Sequence, residues 1–545
     1  MSQRQRRRRE QRRKQAERRR PTKRQVVTGA TVAMGATLAA AGSAQAATIT
    51  VSNLNDEGPG SLRSAIGEAN QNGLGSDDIV FASGLTGAIE VGSTSNYGLY
   101  PETPMNIQGA GQITLRGGPN VDYVVFTGTG YGSSPGVPIT ISGVTITGGH
   151  ATNDHYADRG GGIFNRDAAL TLSNAVMSDN YAQDDGGGIY SYSGSVTVVN
   201  STISANRAGP TGNGNAYGGG IYSQDSPVTV RNSTVSGNNS GGDGGGVYMS
   251  SRYMVDPSLT IENTTVANNT AGSGSGDDGG GVWLCCGANG QSLTVKSSTI
   301  TGNHVGGGSG FGGGLVLFDV AASNVSIQSS IIANNTGTVA DDIYSTYGGQ
   351  LGFSLVKELG ADSTDTGNSF TTTGPNITGV DPQLGGLANN GGPTQTEAPS
   401  GSSPVIDKGN AFGLSSDQRG VLRPIDFPAI PNVADGSDIG AVELQPSDAF
   451  KLGKLKRNKK KGTAKQVVIL PLPDAGSVTI SGKGLKTKTR QVTGTEKLKL
   501  PVIAKGKKRH ALNQSGKAKI KAKVTYNAIG NAANTLKKKL KLLKR

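Results

Sequence analysis

A chain of 545 residues with 85 glycines and 5% aromatic side chains can bury a large core, and its glycines do not recur every third position, which excludes a collagen-like rod. The formal net charge of +14 is segregated: residues 1–46 hold 13 basic and 2 acidic side chains, residues 447–545 hold 28 and 3, and residues 47–446 keep 12 and 34. An acidic body between two basic ends excludes one uniformly basic surface, and each end needs its own explanation.

In chain order, residues 4–24 are crowded with Arg, Val26 to Ala41 is mildly apolar, and Ala44-Gln45-Ala46 offers small side chains. This pattern predicts an export signal over 1–46, cleaved after Ala46. The apolar part is too short and too rich in Gly, Ala and Thr for a membrane span. A nucleic-acid arm is the other reading of the Arg run, and the cleavage pattern directly downstream argues against it. Arg19-Arg20-Pro21 loosely resembles a twin-arginine signal without its usual Phe-Leu, so ordinary secretion stands beside that route. No later stretch is apolar enough to cross a bilayer. The expected location is therefore extracellular or at the cell surface, with no transmembrane segment in the mature chain. Leu62, Ala65, Ile66 and Ala69 then form an apolar stripe on a short helix, suited to plugging the open end of a repeat stack.

The repeats follow. Gly160-Gly161-Gly162-Ile163-Phe164 recurs at Gly186–Tyr190, Gly218–Tyr222, Gly244–Tyr248, Gly279–Trp283 and Gly312–Val316. Each copy precedes a strand-like segment: LTLSNAVMSDN at 170, VTVVNSTISAN at 196, VTVRNSTVSGN at 228, LTIENTTVANN at 259, LTVKSSTITGN at 293 and VSIQSSIIANN at 325. The triple glycines are 26, 32, 26, 35 and 33 residues apart, and such a period marks a solenoid. ITISGVTITGG at 139 is an earlier, degenerate turn. The segments alternate, with Leu170 and Leu172 inward and Thr171 and Ser173 outward, and they are rich in Val, Ile and Thr; both features suit strands. Each period accommodates three short strands and three turns, one coil of a parallel β-helix. Asn180, Asn206, Asn238, Asn269, Asn303 and Asn335 close the segments, each six residues after Asn174, Asn200, Asn232, Asn263, Ser297 and Ser329 respectively. Stacking would align them in ladders of side-chain amides.

These repeats resemble those of secreted pectin-lyase-like right-handed β-helix proteins, including the polymorphic outer-membrane protein type. GGG-I/V/L stands for that group's GGA-I, and Ser178-Asp179-Asn180 keeps the Asn of its Phe-x-x-Asn motif without the Phe. ITVSNLNDEGPGSLRSAIGEAN (49–70), followed by DDIVF, is similar to the segment named for its CSLREA motif, with Gly60 in place of the Cys and Ser64 in place of the Glu. Gly391–Thr394, Ser403–Gly409, Asp417–Gly420, Arg423-Pro424 and Asp438–Glu443 resemble the end segment of choice-of-anchor proteins. The resemblances cover roughly 47–446 and imply fold and export, but no known activity. They suggest an N-terminal cap and first coils over 47–138, repeat coils over 139–345, and final coils with a closing segment over 346–446.

Enzymes share this fold, so a polysaccharide lyase or hydrolase is the alternative to a binding or structural role. Such chemistry needs clustered carboxylates, often with Ca²⁺, and a cation or His over the sugar. The body offers His150, His155 and His304, with Asp184-Asp185, Asp243 and Asp277-Asp278 just before triple glycines. Asp185, Asp243 and Asp278 are the Ca²⁺ candidates beside a reading as solvated turn acids; no catalytic residue is assigned and no cofactor is required. Cys285 and Cys286 are neighbours, either a vicinal disulfide or a free buried pair.

Residues 447–545 carry 24 Lys and 4 Arg. Strands are expected at Gln466–Leu470, Ser477–Ser481, Glu496–Val502 and Ala518–Tyr526, separated by turn signals at Gly482, Gly484, Gly506 and Gly516, as in a small immunoglobulin-like β-sandwich. Lys is a hydrated point charge suited to diffuse attraction, and with Phe450 and Tyr526 as the only aromatics, specific nucleic-acid binding is unsupported. The expected partner is an anionic envelope polymer or glycan, contacted by Lys459, Lys460 and Lys461; a solubilising tail is the plainer reading. The whole reads as all-β: a right-handed parallel β-helix followed by a small β-sandwich, exported and adhesin-like.

Overall fold

The computed structural model describes residues 46–545 apart from 73–74, 95–96, 119–120, 129–135, 153–157, 211–214, 253–256, 273–275, 287–289, 308–309, 339–340, 362–369, 429, 447–448, 471–475, 493–496 and 529–532. The export signal expected over residues 1–46, apart from Ala46, lies outside the described residues, as does His155.

The body is a right-handed parallel β-helix. One coil runs Ile163–Arg166, Ala168–Ser173, Val176–Ser178 and Tyr181–Ala182, and its successors pair with it in register. Ile163 is followed down the stack by Ile189, Ile221, Val247, Val282, Leu315 and Ile343. Leu170 is followed by Val196, Val228, Leu259, Leu293 and Val325. These inward columns form one continuous buried core.

A coil has four strands, one more than the repeat length suggests. The long segment breaks in two at Asn174, Asn200, Asn232, Asn263, Ser297 and Ser329, whose φ angles of 45 to 50° are left-handed, a conformation Asn tolerates better than most residues. The chain thereby gains a corner between two strands of the same broad face.

The triple glycine has three separate causes. In Gly186-Gly187-Gly188, the first has φ 68°. A Cβ on the second would lie 2.3 Å from the Arg207 backbone carbon, and one on the third would lie 2.6 Å from Gly220 O and 3.1 Å from the Asn206 side chain. Any side chain at either of the last two positions would push coils or adjacent faces apart.

At the start of the body, helix α1 (Leu62–Asn72) sets Leu62, Ala65, Ile66 and Ala69 into the same core. Asp56 Oδ1 accepts from Arg63 Nη2 at 2.6 Å, and its Oδ2 accepts from Thr94 N and Oγ1. At the other end, strands continue to Ile377–Thr378. Residues 382–444 then run back along the flank of the coils. Gln418 Nε2 donates to Ser233 O at 2.9 Å, Thr265 Oγ1 donates to Gln418 Oε1 at 2.6 Å, and Gly440 N donates to Ser329 O at 2.7 Å. Val405 and Ile439 pack with Ile331, Ala333 and Leu355.

The C-terminal residues form a β-sandwich. Strands Lys451–Asn458, Thr463–Ile469 and Lys497–Val502 make one antiparallel sheet; Lys488–Val492, Gly476–Ser481, Lys517–Ala528 and Asn534–Leu543 make the other. Its core is separate and includes Val468, Val478, Leu500, Val524 and Tyr526. Helix α2 (Gly506–Ser515) occupies a stretch read from sequence as turn. Its two flanking glycines do bend the chain, but the ten residues from Gly506 carry enough helix formers to complete turns between them, and Gly516 ends it at φ 67°.

Candidate functional site

The six closing asparagines are buried and hydrogen-bonded from coil to coil. Asn180 Nδ2 donates to Asn206 Oδ1 at 2.9 Å, Asn206 to Asn238 at 2.9 Å, Asn238 to Asn269 at 2.9 Å, Asn269 to Asn303 at 2.8 Å and Asn303 to Asn335 at 2.9 Å. Each Oδ1 from Asn206 onward also accepts the backbone N–H of the preceding member, and each Nδ2 donates to a carbonyl of the coil before. The column ends when Asn335 Nδ2 donates to Asp342 Oδ1 at 2.9 Å. The Asn174 column has a different job, turning the corner. Beside it runs a hydroxyl column that sequence reading missed. The N–H groups of Ala175, Ser201, Ser233, Thr264, Ser298 and Ser330 donate to the hydroxyl oxygens of Ser201, Ser233, Thr264, Ser298, Ser330 and Ser354. The signal was present as a Ser or Thr directly after the corner residue. These columns satisfy backbone groups at bends where strand pairing stops, so they build the body rather than a site.

The three candidate calcium ligands lie on one edge, just before triple glycines, and each serves the neighbouring coil's backbone. Asp185 Oδ1 accepts from Tyr217 N at 3.1 Å, Asp243 Oδ1 from Asp278 N at 3.0 Å, and Asp278 Oδ1 from Phe311 N at 2.8 Å. Asp185 is buried and its carboxyl is pushed above the usual range by desolvation, then by Asp184, against the pull of Arg159. Arg159 Nη2 donates to Asp184 at 2.6 Å and its guanidinium lies 5.2 Å over the Tyr190 ring. That cation therefore already has its partners. Among the described residues no group of three or more His, Cys, Asp or Glu side chains could hold a metal. His150 and His304 are exposed, on strands that pair with Tyr181 and Thr270. Cys285 and Cys286 form a vicinal disulfide. Cys285 is buried beside a column of stacked rings running Tyr190, Tyr222, Tyr248 and Trp283, 4.7 to 5.1 Å apart.

The motif pieces within residues 382–444 also resolve into structural contacts. Arg419 Nε and Nη2 donate to Asp417 Oδ2 at 2.9 and 2.6 Å, and the fully buried Arg423 donates to Glu443 Oε2 at 2.9 Å. Asp438 accepts from Asp407 N and Leu444 N, and Glu443 accepts from Ile425 N and Asp438 N. A segment with almost no regular strand thus satisfies its backbone with carboxylates. Burial pushes Glu397 up to about 7 and, against hydrogen bonds from Phe427, Asp407 to about 7.

The remaining candidates are in the sandwich. Lys459, Lys460 and Lys461, all exposed, form with the buried Gly462 the turn between its first two strands. Arg545 N donates to Lys459 O at 3.1 Å, so the chain's last cation joins them. A larger array lies on the sixth and seventh strands. Lys519 faces Lys541, Lys521 faces Lys539 and Lys523 faces Lys537. All six are exposed, while Ile520, Ala522, Val524 and Leu540 between them fill the core. The alternating lysines of 517–523 are visible in the sequence; the register that sets them against 537–541 is not.

Residues 123–314 match the family model of a right handed beta helix region. That stretch holds the six triple glycines and five of the six buried asparagines, with Asn335 beyond its end, and it is 192 of the 545 residues. No curated protein matches this chain. No helix among the described residues is long and apolar enough to cross a membrane.

Proposed function

We propose that this β-helix protein is exported and surface-associated, acting in adhesion, ligand binding or envelope structure, and that its basic C-terminal sandwich holds it to anionic envelope material. The observation that carries the reading is the separation of charge: residues 447–545 carry 28 basic and 3 acidic side chains, against 12 and 34 in residues 47–446. Such a patch attracts polyanions over a Debye length of about 8–10 Å in physiological salt. The β-helix side chains closest to a catalytic or metal constellation, Asp185, Asp243, Asp278 and Arg159, are engaged in holding coils together, which favours a scaffold over a polysaccharide lyase or hydrolase. Fractionation of producing cells tests this. The full chain should be found with the cell envelope and a chain ending at residue 446 in the medium. Retention of the shortened chain at the envelope would refute the anchoring role.

A further inference from the structure

The facing lysines are an unusual use of a sheet. Like charges directly opposite on antiparallel strands destabilise a sheet, with Cβ atoms about 5 Å apart, and here three such pairs follow one another at every second residue. None of the four strands of this sheet contains an Asp or Glu. Among the described residues no ion pair reaches any of the six ammonium groups. The result is a double row of cations, recurring about every 7 Å along the strands.

Next to this double row lies a neutral hydroxyl row. Thr479 pairs with both Thr489 and Thr525, and Thr525 pairs with Thr535, so one threonine from each strand crosses the whole sheet. Their hydroxyls touch at 2.9 Å between Thr479 and Thr489 and at 2.8 Å between Thr525 and Thr535. Phe450 and Tyr526, the module's only Phe, Tyr or Trp side chains, are both buried, so neither offers nucleobases a stacking platform.

We propose that this outer face of the four-stranded sheet binds a linear acidic polysaccharide, with the polymer's carboxylates along the lysine rows and its hydroxyls against the threonine row. The inference rests on the reading of the sandwich as an envelope anchor and deepens it, by replacing attraction to the whole module with a defined face and a sugar polymer as occupant.

The test compares two full-length triple variants that remove equal charge. One changes Lys519, Lys521 and Lys539 to Gln, and the other changes Lys459, Lys460 and Lys461 to Gln. Affinity is measured by titration with polygalacturonate at low salt, with a DNA duplex as the second probe. The sheet variant should lose roughly ten-fold or more for polygalacturonate and the turn variant roughly three-fold or less, as only the first removes direct contacts. The sheet variant should also melt at an equal or higher temperature, because repulsion has been relieved; a melt below the parent's with lost binding would assign the loss to unfolding and overturn the face. Equal losses in the two variants would overturn the face while leaving diffuse anchoring intact. DNA binding as tight as polygalacturonate binding, and as sensitive to the sheet variant, would overturn the sugar polymer as occupant. Absence of binding to either probe by the parent chain would overturn both this inference and the anchor.

Discussion

Replacing Asn238 by Ala is the sharpest probe of what holds the coils together. The Asn238 side chain accepts from Asn206 N at 3.0 Å and from Asn206 Nδ2 at 2.9 Å, and donates to Ile203 O at 3.0 Å and to Asn269 Oδ1 at 2.9 Å. The site is 1% exposed, so water cannot readily replace the lost partners. Four bonds at about 1 kcal/mol each give a destabilisation of about 4 kcal/mol. Asn206→Ala removes four bonds as well, one of them shared with Asn238. The double variant should therefore cost about 1 kcal/mol less than the sum. Asn200→Gly is the control, because Asn200 turns a corner at φ 49°, where glycine fits without strain; its effect should be near zero or mildly stabilising. Urea unfolding followed by circular dichroism gives the three values. A loss below about 1 kcal/mol for Asn238→Ala, or a loss matching that of Asn200→Gly, would refute the ladder as a stabilising element.

Three further outcomes follow from the same contacts. Gly219→Ala would bring a Cβ to 2.4 Å from Asn239 O, whereas at Gly237, with φ 63°, nothing lies within 4 Å; the first should abolish the cooperative melt or lower it severely, the second cost roughly 1–2 kcal/mol from its left-handed backbone alone. Burial raises Glu397 from its ordinary 4.5 to about 7, so the folded state holds a proton that the unfolded state releases; its contribution is full below about pH 4.5 and is lost as pH rises towards 7. Glu397→Gln should therefore flatten that part of a stability–pH curve, and an unchanged slope would show that Glu397 does not titrate there. Added Ca²⁺ should leave the melting temperature unchanged, since Asp185, Asp243 and Asp278 already serve backbone N–H groups; a rise that disappears in Asp278→Ala would establish a site.

What was legible in the sequence follows from periodicity. Alternating Leu170 and Leu172, with triple glycines recurring at one position in each period, was enough for a parallel β-helix, because burial on one side of a strand writes a two-residue period. The apolar stripe of α1 was equally plain. The left-handed break at Asn174 was not, since Asn occupies both corner and ladder positions and only the backbone tells them apart. The flank position of 382–444 was hidden for a different reason. Its contacts join residues about 150 apart, such as Gln418 with Thr265, and nothing local encodes them. The lysine face combines both cases. The alternation at 517–523 was visible, but a register across the residue 528–534 connection had to be seen before Lys521 could be set against Lys539.

Co-sedimentation with isolated envelope material over a range of salt tests the anchoring claim most directly. The full chain should sediment at low salt and be released steeply as salt rises, while a chain ending at residue 446 stays in solution throughout. Equal sedimentation of both chains, or binding by the full chain that persists in concentrated salt, would contradict attachment through the charge of the basic sandwich.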